Sequence, residues 1–342
     1  MANINLLTIH WGCSYGGTMQ TYATVKTLQR LGHHVCVINL VHPKHNNSKR
    51  TLSPSVLLIR VRQLQFSLFR LFHIGHFTKL MYSINKKYIP ESDYTIVGSD
   101  QVWNSDITSP ISMSYFLDFP KKGTKLSYAS SFGKSVWEND ADYTEKVKEL
   151  LSEFKAISVR ETSGIAICHD VFKVEAIQLL DPTLIYGNYS ELVKEGKIKK
   201  QVYPFLLANN ESTKIICNLV SQELRIPLYE ENRYRFYFKR SPKAWLNRMR
   251  NSAFIITDSF HGLAFSLLFH KPFIVVCADA KKFTRLQSLL QLVKLENRFV
   301  KSFDDLATRK DLLFDNINYA LVDRILEDER NKALSFLERN LK

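Results

Sequence analysis

Short apolar runs alternate with longer segments of helical period along most of this chain. Ile4 to His10 reads as a buried strand. Thr18 to Leu31 places Met19, Tyr22, Ala23, Val25 and Leu28 near helical spacing, with Gly32 as its C-cap. Val35 to Leu40 is the next strand, so the chain opens with a β-α-β unit whose glycine-bearing loop, Gly12 to Gly17, lies at a strand's carboxyl end. Val56 to Ile84 mixes Leu, Phe and Ile with Arg60, Arg62, Arg70 and Lys79, the pattern of one or two amphipathic helices. Strands follow at Tyr94–Val97, Lys125–Ser130, Ala156–Val159 and Val174–Leu179, with a helix over Tyr143–Phe154. A polar, charged stretch from Tyr186 to Gln201 marks a crossing into a second domain.

That second domain restarts with a strand at Phe205–Ala208 and a helix over Thr213–Val220. Ser241-Pro242 starts another helix, whose Trp245, Leu246 and Met249 face a core. A strand through Phe254–Ile256, a helix over Leu263–Phe269 and a strand over Phe273–Cys277 follow, and Asn316 to the end is mostly helical. Sustained alternation of strand and helix predicts an α/β fold with parallel, doubly wound sheets. The expected organisation is a domain over 1–190 with an insertion near 56–84, a domain over 191–315, and a helix over 316–342 packing across both. No internal repeat and no low-complexity tract interrupts it.

Composition narrows the classes. At 342 residues and 45% hydrophobic, the chain can build two full cores. Cys13, Cys36, Cys168, Cys217 and Cys277 are scattered without a CxxC pair, which points to reduced thiols in a cytosolic protein and to no metal cluster. The start of the chain lacks signal-peptide character, and no stretch is long and apolar enough to predict a transmembrane helix. Charge is uneven: the net charge is +14, and residues 1–90 hold eleven Lys or Arg and no Asp or Glu. Such a balance favours nucleic acid, anionic lipid or phosphorylated ligands. The absence of zinc-finger, helix-turn-helix or RNP-like patterns argues against nucleic acid. The basic stretch 56–84 reads either as an interfacial helix meeting an anionic membrane surface or as an ordinary packed helix with a solvated face.

Candidate chemistry gathers where apolar runs end. Phe254-Ile255-Ile256-Thr257-Asp258-Ser259-Phe260-His261-Gly262 is a strand, a tight turn and a helix start meeting at a histidine. Ligands bind at such carboxyl ends, and helix starts favour anions. An imidazole there can hold a phosphate or move a proton, although a loop histidine is more often structural. Asp258 or Ser259 could cap the helix. The loop Gly12–Gly17 matches neither GxGxxG nor a Walker sequence; it is a tight turn or a place where backbone approaches a ligand. Gly98-Ser99-Asp100-Gln101-Val102-Trp103-Asn104 joins hydrogen-bonding side chains to an indole, either a polar turn with a core tryptophan or a sugar-binding loop. Arg160, just past a strand, is suited to bidentate capture of carboxylate or phosphate, or to a surface pair with Glu161.

In order, six segments resemble the polysaccharide pyruvyl transferase family: Tyr15-Gly16-Gly17-Thr18-Met19-Gln20-Thr21-Tyr22-Ala23, Ile96–Asn104, Tyr128-Ala129-Ser130-Ser131-Phe132-Gly133, Ser158-Val159-Arg160-Glu161, Leu180-Asp181-Pro182-Thr183 and Thr257–Gly262. The resemblance implies a fold similar to GT-B glycosyltransferases, with two Rossmann-like doubly wound domains facing a cleft, the first on the acceptor side and the second on the donor side. It implies transfer of the pyruvyl unit of phosphoenolpyruvate to two hydroxyls of a sugar, as a cyclic ketal, with release of phosphate. The expected donor-binding residues are Arg160, Ser259, Phe260, His261 and Gly262. Some members carry Arg two residues before the histidine, where this chain has Ser259. The expected acceptor-binding residues are Tyr15, Gly16, Gly17, Gln20, Ser99, Asp100, Gln101, Trp103 and Asn104, with Asp100 as base. Arg160, His261 and Asp100 form the expected catalytic set, with no metal and no cofactor beyond phosphoenolpyruvate as donor substrate. The acceptor is a sugar or lipid-linked oligosaccharide, reached from the cytoplasm or the inner membrane face. Two rival readings stay open: a GT-B glycosyltransferase using a nucleotide sugar, and a noncatalytic glycan-binding member.

Overall fold

The computed structural model describes residues 1–342 except 46–53, 121, 195, 209, 230–239 and 277–282. Of the sequence readings, Cys277 lies outside the described residues. The chain divides into two compact units, Met1–Tyr186 with Glu329–Lys342, and Gly187–Asp328.

In the first unit, β1 (Asn3–Leu7), β2 (His34–Val37), β3 (Tyr94–Val97), β4 (Thr124–Ser127) and β5 (Phe154–Ala156) form a parallel sheet in the order β2-β1-β3-β4-β5. The apolar runs that predict these strands are buried on both faces, as parallel strands covered by helices must be. β6 (Ser158–Val159) and β7 (Ile177–Gln178) pair with each other, and single bridges from Ser130 to Asp100 and to Val159 carry the pairing past β4. The strand order reverses between β1 and β3, so their carboxyl ends flank a topological switch point. There the first unit's core, including Leu7, Val97, Trp103 and Phe132, meets the loops.

Several boundaries differ from the sequence reading for physical reasons. β1 ends at Leu7 rather than His10, because Thr8 turns its hydroxyl to donate to Ser99 O at 2.8 Å. Tyr15, Gly16 and Gly17 are not loop but the first turn of the helix Tyr15–Arg30, capped by Ser14 Oγ, which accepts from Gly17 N. The basic stretch holds one α-helix, Pro54–Phe69, running into a π-helical turn at Arg70–Ile74. Gly75, at φ 108°, ends it, and Phe77 and Met81 then bridge to Val37 and Leu40 beside β2 instead of forming a second helix. The run Ala156–Val159 is split between β5 and β6.

The second unit has β8 (Lys199–Phe205), β9 (Ser252–Thr257), β10 (Phe273–Val276) and β11 (Phe299–Val300), all parallel, in the order β11-β10-β9-β8. Its first strand is Lys199–Phe205 rather than Phe205–Ala208. At the end of the described sheet order it tolerates exposed Lys199 and Lys200, and Pro204 as well, so its sequence looks like a linker. The helices Glu211–Leu224, Pro242–Asn251 and Phe260–Leu268 flank this sheet, and Val202, Ile216, Ile256, Ile274 and Val300 fill its core. The helix Tyr319–Asn340 begins among residues of the second unit and ends among those of the first.

Candidate active site

All six family-like segments stand at or just beyond the carboxyl ends of parallel strands: after β1, β3, β4, β6 and β7 in the first unit, and after β9 in the second.

In the first unit a buried guanidinium sits among three carboxylates. Arg160 Nη1 donates to Asp181 Oδ2 at 3.0 Å, Nη2 lies 4.0 Å from Asp100 Oδ1, and Nε lies 3.9 Å from Glu161 Oε2. The side chains of Arg160, Asp181 and Glu161 are 1%, 0% and 1% exposed, and that of Asp100 is 15% exposed. Burial acts to lower the Arg160 pKa, but the charges of Asp181, Asp100 and Glu161 outweigh it, so the guanidinium is held above its ordinary range. Asp181 also accepts from Ser99 Oγ at 2.8 Å, from Thr183 N at 2.9 Å and from Thr183 Oγ1 at 2.6 Å. Glu161 Oε1 accepts from Ser131 Oγ, Phe132 N and Gly133 N. The sequence expectation of an arginine offered to an incoming anion, or paired on the surface with Glu161, therefore meets a buried and already compensated charge.

Asp100 is the member of this group with an outlet. Its φ of 78° puts a non-glycine residue in the left-handed region, where strain is tolerated when the surroundings impose it. Its carbonyl is fixed by Val102 N and Ser131 N, and its Oδ1 accepts from Gln101 N at 2.9 Å. A Cβ at Gly17 would lie 3.5 Å from Asp100 Oδ2 and 2.9 Å from Ile9 O, so glycine there lets the helix start close on β1's exit and on this carboxylate.

Other expected acceptor residues turn inward. Trp103 is fully buried, donates from Nε1 to Tyr115 O at 2.9 Å, and stacks on Phe116 at 5.6 Å; its indole is core rather than a sugar platform. Gln20 is also buried, and its amide nitrogen donates to Thr8 Oγ1, Ile9 O and Gly17 O, bracing the β1 exit instead of meeting a ligand. Ser99 is consumed by Asp181, and Asn104 caps the short helix Ser105–Thr108 while donating to Gln101 Oε1 at 3.2 Å. Gln101 also packs on Gly133, where a Cβ would fall 2.2 Å from Gln101 Oε1. Gly16 lies in the helix's first turn, and Tyr15 packs on Phe66 at 5.2 Å with the Arg62 guanidinium 5.5 Å from its ring. Asp181 is the residue that sequence reasoning left out of the site. The polar run Asp181-Pro182-Thr183 directly after an apolar one was its signal.

In the second unit, His261 occupies the first turn of the helix Phe260–Leu268, just beyond β9. It is buried, and its ring meets Phe260 edge-on at 5.4 Å. Ser259 is the cap, accepting from Gly262 N at 3.4 Å, so this amide is engaged by protein. Asp258 does not cap; its carboxylate accepts from Leu207 N at 2.6 Å and Ala208 N at 2.8 Å, tying down the chain after β8. Gly262 is required by packing, since a Cβ would fall 2.1 Å from Thr257 Oγ1.

Among the described residues, no group of three or more His, Cys, Asp or Glu could hold a metal ion, and no helix is long and apolar enough to cross a membrane.

A family model described as polysaccharide pyruvyl transferase matches residues 15–276, about three quarters of the chain. No curated protein sequence matches it. Among solved structures, a functionally uncharacterised protein of Klebsiella pneumoniae subsp. pneumoniae NTUH-K2044 is 9% identical with a TM-score of 0.51, covering 88% of this chain and 93% of its own. The S. aureus MnaA-UDP co-structure is 11% identical with a TM-score of 0.50, covering 96% and 91%. At these identities the likeness speaks for fold alone. The fold is α/β, with two Rossmann-like units in succession.

Proposed function

This chain belongs to the polysaccharide pyruvyl transferase family and is by that membership a transferase, and we propose that it moves the pyruvyl group of phosphoenolpyruvate onto two hydroxyls of a sugar in a polysaccharide precursor. The observation that carries this reading is the ordered set of six segments at strand carboxyl ends, all within the matched span.

The chemistry runs through two additions at one carbon. A proton added to the methylene carbon of phosphoenolpyruvate makes the neighbouring carbon electrophilic. A sugar hydroxyl attacks it and gives up its proton. The bond to the phosphate oxygen then breaks, and a second hydroxyl closes the ketal, its proton leaving with phosphate. His261 serves the donor: protonated, it holds the phosphate, and its proton is the one available to the methylene carbon. The helix start around Ser259, Phe260 and Gly262 adds a favourable field for that anion.

Asp100 is the base for the acceptor hydroxyl. It is the most exposed of the three carboxylates near Arg160, so it is the one an acceptor hydroxyl can reach. Arg160 then acts mainly by positioning Asp100. Donor capture by Arg160 would require its bonds to the carboxylates to be exchanged for bonds to substrate.

Residues 56–84 would attach the protein peripherally to an anionic membrane on the cytoplasmic side. Leu57, Leu64, Leu68, Leu71 and Phe72 are exposed along that helix, while Arg62 and Arg70 bond to the carbonyls of Cys13 and of His10 and Gly12. Co-sedimentation with anionic vesicles that vanishes in a Leu64→Asn, Leu68→Asn variant supports attachment; binding unchanged by it contradicts attachment through this face.

The test of the reaction is phosphate release from phosphoenolpyruvate in the presence of a saccharide panel. His261→Ala and Asp100→Asn are expected to abolish release while leaving the melting temperature nearly unchanged, and full activity in either refutes that residue's role. Heat protection by phosphoenolpyruvate rather than by a nucleoside diphosphate separates this reading from a nucleotide-sugar transferase.

A further inference from the structure

A cavity of about 550 Å³ opens in the first unit beneath the basic helix, lined by His10, Trp11, His45, Arg70, Leu71 and Leu80 among others. None of the sequence-expected acceptor residues lines it. Its volume is in the range of ligand sites. Among the described residues, those lining it all come from the first 90 positions, which hold no Asp or Glu, so these walls carry a guanidinium and imidazoles and no carboxylate. This reverses the balance around Arg160, where carboxylates outnumber the cation.

Three observations give the cavity a polar, electropositive floor. Arg70, in the π-helical turn, donates to His10 O at 3.0 Å, Gly12 O at 3.2 Å and Ser67 Oγ at 3.2 Å, all neutral acceptors, and no carboxylate among the described residues pairs with it. His45 Nε2 is buried with no hydrogen-bond partner among the described residues, and its ring stands 4.8 Å from that of Trp11. Lys44 Nζ lies 5.5 Å from the Trp11 ring centre. The rim has the opposite character. Leu71 is 64% exposed and Leu80 53%, and Leu71 continues into Phe72, 73% exposed, and the leucine stripe of the helix.

We propose that this cavity binds the phosphate-ester end of a lipid-linked acceptor. Its phosphate or diphosphate lies against Arg70 and His45, and its hydrocarbon chain leaves over Leu71 and Leu80 along the exposed stripe. The inference rests on the pyruvyl transfer reading for the identity of the acceptor, and it deepens that reading by giving the acceptor's anionic end a place. The chain runs from Gly12, at the cavity wall, to Gly17, beside Asp100, within one short segment. A sugar esterified to a phosphate held in the cavity would extend along that segment toward the base. An anion with a greasy tail fits both ends of the cavity, whereas a free phosphate leaves the apolar rim unused.

The experiment measures binding of farnesyl diphosphate in detergent micelles, of inorganic pyrophosphate, and of phosphatidylglycerol vesicles, all without phosphoenolpyruvate. Farnesyl diphosphate is expected to bind more tightly than pyrophosphate. Arg70→Gln is expected to weaken both by about tenfold or more, the scale of a lost charged hydrogen bond. A Leu71→Asn, Leu80→Asn variant is expected to weaken farnesyl diphosphate by about tenfold, the scale of two leucines' apolar contact, and to leave pyrophosphate unchanged. These leucines are exposed, so that variant keeps the test independent of the bonds Arg70 makes to the loop. Farnesyl diphosphate binding insensitive to both variants overturns the proposal. So does vesicle binding that falls with Arg70→Gln by the same factor as farnesyl diphosphate, because a bilayer headgroup is then the ligand. Intact farnesyl diphosphate binding without pyruvyl transfer would instead refute the reaction alone.

Discussion

Around Arg160 three carboxylates compete for one guanidinium, and the geometry ranks them. Asp181 at 3.0 Å is the closest partner and is wholly buried. Removing it leaves a buried charge with its nearest compensation gone, so Asp181→Ala is expected to cost about 3 to 5 kcal/mol of unfolding free energy, measured by urea titration. A cost below about 1 kcal/mol would show that the pair is not organised as described. His10 sets a second expectation. Burial, with a smaller push from Arg70, lowers its pKa below the ordinary 6.5, against the ring's hydrogen bonds to Asn39 Oδ1 and Thr8 O. In acid the unfolded chain then takes a proton that the folded one refuses, so stability is full above about pH 6.5 and falls as pH drops toward the folded value. The melting temperature of His10→Gln should fall less steeply from about pH 7 to about pH 5 than that of the parent chain. His33 and His45 are lowered too, so some slope should persist. An unchanged slope would remove His10 as a source. Sequence pattern could mark Arg160 as a residue past a strand. It could not reveal that residues 100 and 181 close around it, because those contacts span 60 and 21 positions of chain and depend on strand order.

At the scale of elements, the strands were legible wherever both faces are buried. β3 and β9 read directly as apolar runs, whereas β8, carrying Lys199, Lys200 and Pro204, read as a linker because the end of the sheet relaxes the demand for apolar residues. Gly17, Gly98, Gly133 and Gly262 of the motifs each stand where a Cβ would crowd a neighbour. Gly262→Ala forces a Cβ into Thr257 and is expected to cost about 1 to 3 kcal/mol, an overpacking penalty read by thermal or chemical unfolding. A neutral effect would mean that β9 and its following helix are not in close contact. The helix Pro54–Phe69 shows what an amphipathic pattern leaves open, namely which side chains turn inward. The sequence mixes arginines with leucines, and the structure turns Arg62 and Arg70 into the loop after β1, leaving leucines outside.

For the molecule as a whole, two Rossmann-like units were visible in the alternation of strand and helix, because each unit repeats the same layered solution. Charge distribution added what alternation could not. The acid-free first 90 residues raise the expectation of an anionic partner, and the structure places part of that charge at one cavity. The thiols belong to the same scale. Burial pushes Cys168 up to about 12 and Cys217 up to about 11, so both are expected to resist maleimide in the native protein and to react on unfolding. Rapid native labelling of either would contradict the packing around it.

The central claim is that this transferase builds a ketal from phosphoenolpyruvate. Mass spectrometry of lipid-linked saccharides incubated with the protein and phosphoenolpyruvate tests it most directly. The account predicts one acceptor gaining the mass of a pyruvate less one water, with an equal amount of phosphate released, and no gain with His261→Ala. Saccharides unchanged by phosphoenolpyruvate but extended by a sugar from a nucleotide donor would contradict it.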